Sequence, residues 1–155
     1  MICRALIRAL PVGYLAQHDA IVLLWSTAPM LPQALDVLDA WGGKYLSQIV
    51  WRKVKNGKVP IGTGYRVRCC HELALLGGLG GRQRHAAFPS IFDGLARAHS
   101  RKPDEFYTMV VDKTPGQDRY DLFSRETRDG FDGWGHEHGK FDRSAEPVAG
   151  VAAAE

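Results

Sequence analysis

Ala20-Ile-Val-Leu-Leu-Trp25 is a continuous apolar run with the length of a single strand. Such a run is typical of a strand that is buried on both faces of a parallel sheet. A helix is predicted directly after it, because Pro29 and Pro32 open a segment in which apolar side chains recur at i, i+3, i+4 and i+7. These apolar residues are Leu31, Ala34, Leu35 and Leu38. Gly42-Gly43 then ends the predicted helix.

The same alternation of strands and helices continues on both sides of this run. Further strands are predicted over residues 45–51, 65–68, 72–76 and 120–124. Helices are predicted over residues 2–10 and from Pro103 onward, while residues 86–98 fit either an extended segment or a helical turn. We therefore predict a layered α/β fold with a largely parallel sheet.

Length and composition indicate one soluble globular domain. The 155 residues are 45% hydrophobic and 24% charged, and the longest apolar run is too short to span a bilayer. No secretory signal is visible, and three cysteines, two of them adjacent, favour free thiols in a reducing compartment. We predict a cytoplasmic protein with no membrane partner, one domain over residues 1–143 and a disordered tail over residues 144–155.

Positive charge is concentrated in the middle of the chain. Between residues 52 and 85 there are eight lysines and arginines and a single acid, Glu72. A basic stretch of this kind predicts contact with the phosphates of a nucleic acid, and a solvated loop is the alternative. The candidate nucleic-acid-binding residues are Arg52, Lys53, Lys55, Lys58, Arg66 and Arg68.

The sequence gives little support for a dinucleotide-binding site or for a zinc site. The glycine-rich stretches at residues 62–64 and 78–81 lack the three-glycine spacing of a dinucleotide-binding turn. Cys69-Cys70-His71 and His136-Glu-His138 lack the ligand spacing of a zinc site, so we predict no metal.

Three C-terminal segments carry a resemblance to a known family. They are His99-Ser-Arg-Lys-Pro-Asp-Glu-Phe-Tyr107, Tyr120-Asp-Leu-Phe-Ser-Arg125 and Gly133-Trp-Gly-His-Glu137. Together they resemble the cofactor-binding half of the N(6)-adenine methyltransferases of the messenger-RNA adenosine methyltransferase type, which include bacterial and phage relatives. The resemblance runs over about residues 8–137. It implies a circularly permuted, Rossmann-like S-adenosylmethionine-dependent methyltransferase sheet with helices on both faces.

The same resemblance implies a set of residues that bind S-adenosylmethionine. Lys102, with Ser100 beside it, would contact the carboxylate and ribose region of the cofactor. The alternative is that this segment is only the start of a helix, with basic residues that face solvent. Because Lys102 precedes a proline, its backbone is expected to be extended and its ammonium to point outward into a cleft.

The resemblance assigns four more cofactor contacts near the C-terminus. Phe123 would line the adenine pocket, and Arg125 would reach the ribose or a carboxylate, unless it forms a surface ion pair with Glu126 or Asp129. Glu137 would bind the ribose diol. His136 stands where relatives have asparagine, and an imidazole cannot present an amide oxygen and nitrogen together.

One part of the family pattern is missing from the chain. Relatives carry an upstream Asp-Pro-Pro-Trp that holds the target adenine, whereas none of the eight prolines here adjoins another. We expect an N-terminally truncated chain that lacks the first catalytic strand, and impaired methylation of adenine in DNA or RNA. The alternatives are an inactive module that binds nucleic acid or a partner, in a homo- or heterodimer, and a decaying phage remnant.

Overall fold

The computed structural model describes residues 4–62, 64, 66–83, 85–97 and 101–142. The chain divides into two compact units, the first ending at Pro115 and the second beginning at Gly116. One domain over residues 1–143 stays a prediction, and the predicted tail over residues 144–155 lies outside the described residues.

The described part of the first unit contains short helices and longer strands. Its elements are α1 (Arg4–Arg8), α2 (Val12–Leu15), β1 (Ile21–Ser26), a 3-10 turn (Ala28–Met30), α3 (Leu31–Ala40), β2 (Gly43–Val54), β3 (His71–Leu79), β4 (Ile91–Leu95) and α4 (Asp104–Lys113). The described part of the second unit contains β5 (Tyr120–Leu122) and β6 (Asp132–Trp134). Among all of these helices, none combines the length and apolar character needed to cross a membrane.

The sheet of the first unit is mixed, so the prediction of a largely parallel sheet is wrong here. Its strand order is β1-β3-β2-β4, in which β3 runs antiparallel to both β1 and β2, and only β2 and β4 are parallel. The central strand β3 is buried from Leu73 to Leu79, whereas β1 lies at an edge and most of its residues are only half-buried. The expectation that the apolar run over residues 20–25 is buried on both faces is therefore also wrong, because an apolar run indicates neither the place of its strand in the sheet nor the direction of the neighbouring strands.

Two local predictions around β3 also differ from the structure. Residues 66–68, predicted as part of a strand, have no strand conformation, and Tyr65 lies outside the described residues. The glycine-rich stretch predicted as a loop over residues 77–81 continues β3 as far as Leu79. Residues 86–98, which were ambiguous, contain β4.

Helices cover both faces of this sheet, as predicted. On one face, Ala34 of α3 packs with Leu73 and Leu75 of β3. On the other face, the ring of Phe106 in α4 lies 4.6 Å from that of Trp25, which is paired with Ala74 in β3. Because neighbouring residues of a strand point to opposite faces, Ala74 and its two leucine neighbours place α3 and α4 on opposite sides.

A close contact at Gly94 sets the start of α4 against the sheet. The indole Nε1 of Trp51 donates a hydrogen bond of 2.9 Å to the carbonyl of Gly94. A Cβ atom at Gly94 would lie 2.7 Å from that Nε1 and 2.8 Å from the Cβ of Pro103. The fully buried Pro103 therefore packs on bare backbone, which fixes the position of the preceding residue, Lys102.

The second unit contains a small parallel sheet. β5 and β6 pair in register from Tyr120 opposite Asp132 to Leu122 opposite Trp134. The strand predicted over residues 120–124 is confirmed as far as Leu122, while β6 was not predicted. Since the two strands are parallel, their carboxyl ends lie at the same edge of this sheet.

Candidate functional site

Four of the predicted cofactor residues follow the carboxyl ends of β5 and β6. Phe123 and Arg125 lie within three residues after the end of β5, and His136 and Glu137 lie within three residues after the end of β6. In open sheets with parallel strands, ligands bind just beyond the carboxyl ends of the strands. The structure of the second unit therefore brings these four residues to one edge of the small sheet, at the position typical of a ligand site.

Within this edge, Glu137 lies between two cations. The Nε atom of Arg125 is 2.8 Å from Oε2 of Glu137, as an ion pair rather than an aligned hydrogen bond. The ammonium of Lys140 donates a hydrogen bond to Oε1 of Glu137. That hydrogen bond first, and then the charge of Arg125, lower the pKa of Glu137 below its ordinary value. The lowered pKa favours the ionised form of Glu137, whose two oxygens act only as acceptors of hydrogen bonds.

Phe123 occupies an unusual backbone conformation at the end of β5. Its φ angle of 63° lies in the left-handed region, which is rare for a bulky side chain. The Phe123 ring meets that of Trp134 edge-on, with 5.7 Å between the ring centroids. Strained residues of this kind are concentrated at functional sites, and here the strained residue is the first one after β5.

In the first unit, Lys102 binds a carboxylate of the sheet. Its ammonium donates to Oε2 of Glu72 and lies 4.8 Å from the centroid of the Trp25 ring. The ammonium of Lys102 is thus held by a half-buried carboxylate of the sheet, and its contact with the cofactor stays a prediction. Ser100, its predicted companion, lies outside the described residues.

Lys53 completes the group around Glu72. Its ammonium lies 2.6 Å from Oε1 of Glu72 and 5.0 Å from the centroid of the Trp51 ring. We call these residues the Lys53–Glu72–Lys102 cluster. Burial raises the pKa of Glu72, but the hydrogen bonds from Lys102 and Lys53 outweigh burial and lower its pKa overall.

The charge of this cluster suits an anion. Two ammonium groups against one carboxylate leave one net positive charge, and each ammonium group is also held over a tryptophan ring. The side chains of Lys53 and Lys102 keep 29% and 21% of their surface exposed, so a carboxylate or phosphate from solution could reach them. The sequence analysis assigned these two lysines to different sites and did not predict a role for Glu72. The signal for Glu72 in the sequence was its position as the single acid inside a basic stretch.

The other basic candidates divide into paired and exposed residues. Arg52 is engaged by Asp93 through two hydrogen bonds, of 2.6 and 2.5 Å. Lys55 and Lys58 flank an exposed turn at Asn56-Gly57, where both φ angles are positive, as this dipeptide favours. Arg66 and Arg68 are exposed on either side of Val67.

The sequence matches the MT-A70 family over residues 1–137. The chain belongs to the MT-A70 family. This confirms the family suggested by the C-terminal segments. All the candidate residues of both units lie inside the matched range, whereas Lys140 lies beyond it.

Named relatives of this MT-A70 chain are adenosine methyltransferases. It is 29% identical over 126 residues to a putative N(6)-adenosine-methyltransferase MT-A70-like protein of Medicago truncatula, which covers 76% of this chain and 20% of the relative. It is 28% identical over 127 residues to an N(6)-adenosine-methyltransferase MT-A70-like protein of Drosophila melanogaster, with the same two coverages. It is 27% identical over 118 residues to the human N(6)-adenosine-methyltransferase catalytic subunit METTL3, which covers 70% of this chain and 20% of METTL3. The MT-A70 chain thus spans about a fifth of the length of these relatives.

Proposed function

We propose that this MT-A70 chain is the cofactor-binding part of an S-adenosylmethionine-dependent methyltransferase that acts on the exocyclic amine of adenine in RNA or DNA. The observation that carries this proposal is the parallel pairing of β5 and β6, which puts Phe123, Arg125 and Glu137 at one carboxyl edge. The family match and the adenosine methyltransferases among its relatives supply the reaction. A circularly permuted strand order belongs to the same proposal.

The donor set in the second unit fits the nucleoside part of the cofactor. An ionised carboxylate at the end of the second parallel strand is a suitable acceptor for a ribose diol, and Glu137 has that place and charge. The rings of Phe123 and Trp134 offer apolar surface for an adenine. When bound, S-adenosylmethionine supplies an electrophilic methyl group on its sulfonium.

Within the first unit, the Lys53–Glu72–Lys102 cluster suits a carboxylate ligand. Its net positive charge and partly exposed lysine side chains suit a group such as the amino-acid carboxylate of S-adenosylmethionine, which the resemblance assigns to Lys102. Lys53 thereby moves from the predicted nucleic-acid-binding set to the cofactor-binding set. Glu72 acts as the residue that keeps both lysines in place.

Methyl transfer needs an acceptor site that this chain does not show. The exocyclic amine of adenine is a weak nucleophile, and in the family the Asp-Pro-Pro-Trp tetrapeptide accepts hydrogen bonds from its protons and stacks on the base. The 155 residues contain no such tetrapeptide. We therefore expect no turnover from this chain by itself, and catalysis requires a segment or a partner chain that carries the tetrapeptide.

A nucleic-acid-binding role is favoured by the exposed turn and the segment that follows it. Lys55, Lys58, Arg66 and Arg68 are exposed, and two apolar side chains near them, Ile61 and Val67, have exposed fractions of 76% and 71%. Exposed cations suit the phosphates of a nucleic acid, and the exposed aliphatic groups beside them add apolar contact surface. The second candidate function is therefore that of an inactive module that binds RNA, DNA or a protein partner. A cytoplasmic location of the protein stays a prediction.

The cofactor part of the proposal is tested by calorimetry with S-adenosylhomocysteine and S-adenosylmethionine. The wild-type chain should bind both, and Lys102→Ala should bind them roughly five- to tenfold more weakly, because a charged hydrogen bond is lost. Lys113→Ala is the matched control, since Lys113 is a partly exposed lysine whose ion pair is with Asp112, outside the cluster. No binding by the wild-type chain, or equal binding by Lys102→Ala, would contradict the assignment.

The acceptor part is tested by transfer of a tritiated methyl group to adenine-containing RNA and DNA. The chain alone should give no product above a control without protein. Turnover by the chain alone would show that the tetrapeptide is not needed. Retention of the same RNA or DNA on the chain, without turnover, would support the second candidate function.

A further inference from the structure

The turn that follows Glu137 is fastened to the segment that follows β5. The amide of Phe141 donates to the carbonyl of Arg125 at 3.0 Å. The carboxylate of Asp142 accepts two hydrogen bonds from Thr127, of 2.7 Å from its amide and 2.6 Å from its hydroxyl. These hydrogen bonds attach the turn over residues 137–142 to the segment that follows β5, and so hold the backbone of the turn in one position.

Within this turn, the backbone brings Lys140 back to Glu137. The amide of Lys140 donates to the carbonyl of Glu137 at 3.1 Å, and Gly139, with a φ angle of 78°, makes the reversal. The ammonium of Lys140 then reaches Oε1 of Glu137, while Arg125 lies at Oε2 and stacks 4.6 Å from the centroid of the Phe141 ring. Each oxygen of Glu137 therefore faces one cation.

We propose that Lys140 is a positioning residue for the ribose of the cofactor, because it holds the Glu137 carboxylate in place for the diol. This rests on the proposed function of Glu137. A carboxylate has about four lone-pair positions, so one cation on each oxygen leaves room for the two hydroxyl groups of a ribose. With its rotamer held beforehand, Glu137 loses less side-chain entropy when the ribose binds.

The opposite role is a lysine that competes with the ribose for Glu137. The two roles predict opposite effects of removing the ammonium: positioning predicts weaker binding of the cofactor, and competition predicts tighter binding. The fastened turn favours positioning, because Lys140 is held at Glu137 by its own backbone hydrogen bond and does not reach it from a distant, mobile segment.

The test compares Lys140→Met with Lys140→Arg, and uses Lys113→Met as the matched control. Calorimetry would measure S-adenosylhomocysteine and an analogue of it that lacks both ribose hydroxyls. We expect Lys140→Met to bind S-adenosylhomocysteine roughly two- to fivefold more weakly, the size of one exposed charge pair, while Lys140→Arg and Lys113→Met bind like the wild type. The analogue should bind the wild type and Lys140→Met equally.

Several results would overturn this assignment. Equal or tighter binding of S-adenosylhomocysteine by Lys140→Met would exclude positioning, and an equal loss for both ligands would indicate a structural role only. In these cases the wild type still binds, so the proposed function stands. If the wild-type chain binds neither ligand, the proposed function and the role of Lys140 fail together.

A pH profile gives a second readout that a purely structural role would not move. The charged or titratable groups that face Glu137 in the described residues are Lys140, Arg125 and His136. Because Lys140 lowers the pKa of Glu137, its removal should let the carboxylate take up a proton at a higher pH. Affinity for S-adenosylhomocysteine should therefore begin to fall at a higher pH in Lys140→Met than in the wild type or Lys140→Arg, and superimposable profiles would count against the proposal.

Discussion

Replacing Glu72 with glutamine tests the electrostatics of the Lys53–Glu72–Lys102 cluster. The carboxylate accepts hydrogen bonds from both lysines, and its side chain is only 15% exposed. Glutamine has nearly the same shape, but it removes the charge and places an amide NH₂ against an ammonium. The two lysines would then remain half-buried without a counter-charge.

The cost of this substitution can be sized from the exposure of the three side chains. Breaking a fully buried ion pair costs about 3–5 kcal/mol, whereas exposed pairs contribute about 0–1 kcal/mol. With exposed fractions of 29% and 21% at the two lysines, water relieves part of the penalty. We therefore expect Glu72→Gln to lower the free energy of unfolding by about 2 kcal/mol at pH 7.

Urea denaturation at several pH values provides the assay, with Asp112→Asn as the matched control. Asp112 is 68% exposed in its pair with Lys113, so its loss should change stability by less than about 0.5 kcal/mol. The folded-state pKa of Glu72 lies below the ordinary value of 4.5, so its stabilisation is present above pH 4.5 and is lost as the pH falls through the folded-state pKa. The wild type and Glu72→Gln should therefore converge in acid.

Two results would refute this reasoning about the cluster. One is a cost for Glu72→Gln no larger than that for Asp112→Asn at pH 7. The other is a difference from the wild type that stays constant from pH 7 down to pH 3, because a purely steric effect would not titrate.

Three further predictions concern packing, the exposed turn and the basic residues. Gly94→Ala should cost about 1–3 kcal/mol in urea denaturation, because its Cβ would press on Trp51 and Pro103, and an unchanged midpoint would disprove that contact. Gly57→Ala meets no atom within 4 Å, so it should cost only about 1–2 kcal/mol, from the positive φ angle of 71° alone; a cost like that of a clash would be unexpected. The double substitution Lys55→Glu with Lys58→Glu should weaken the binding of RNA or DNA and flatten its salt dependence in fluorescence anisotropy. Lys44→Glu, at an exposed position of β2, should change neither. Equal effects of the two variants would show that the turn does not contact the nucleic acid.

Local patterns in the sequence were sufficient for several elements. The i, i+3, i+4, i+7 spacing after Pro29 placed α3, because burying one helical face requires that period. Asp104 and Glu105 after Pro103 placed the start of α4, since acids favour the first turn of a helix. The three C-terminal segments identified the family that the match over residues 1–137 confirms.

Strand direction and paired partners could not be predicted in the same way. Hydrophobic runs such as residues 20–25 have the same appearance in parallel and antiparallel sheets, so the mixed order β1-β3-β2-β4 was missed. β6 has only three residues, all exposed, and therefore carries no hydrophobic signal. The ion pair of Arg125 with Glu137 was not predicted, because it is the small parallel sheet that brings the two residues to the same edge.

The sequence by itself determined the helices with a clear period, the family, and the residue types that suit a cofactor. Only the tertiary structure decided which charges meet. The register that pairs Trp51 with Glu72 puts Lys53 on the same face two residues further along β2, and the packing of Pro103 on Gly94 places Lys102 at the same carboxylate. The physical reason is that hydrophobic periodicity reflects the burial of each element separately, whereas an ion pair between residues 19 or 30 positions apart depends on how those elements are paired.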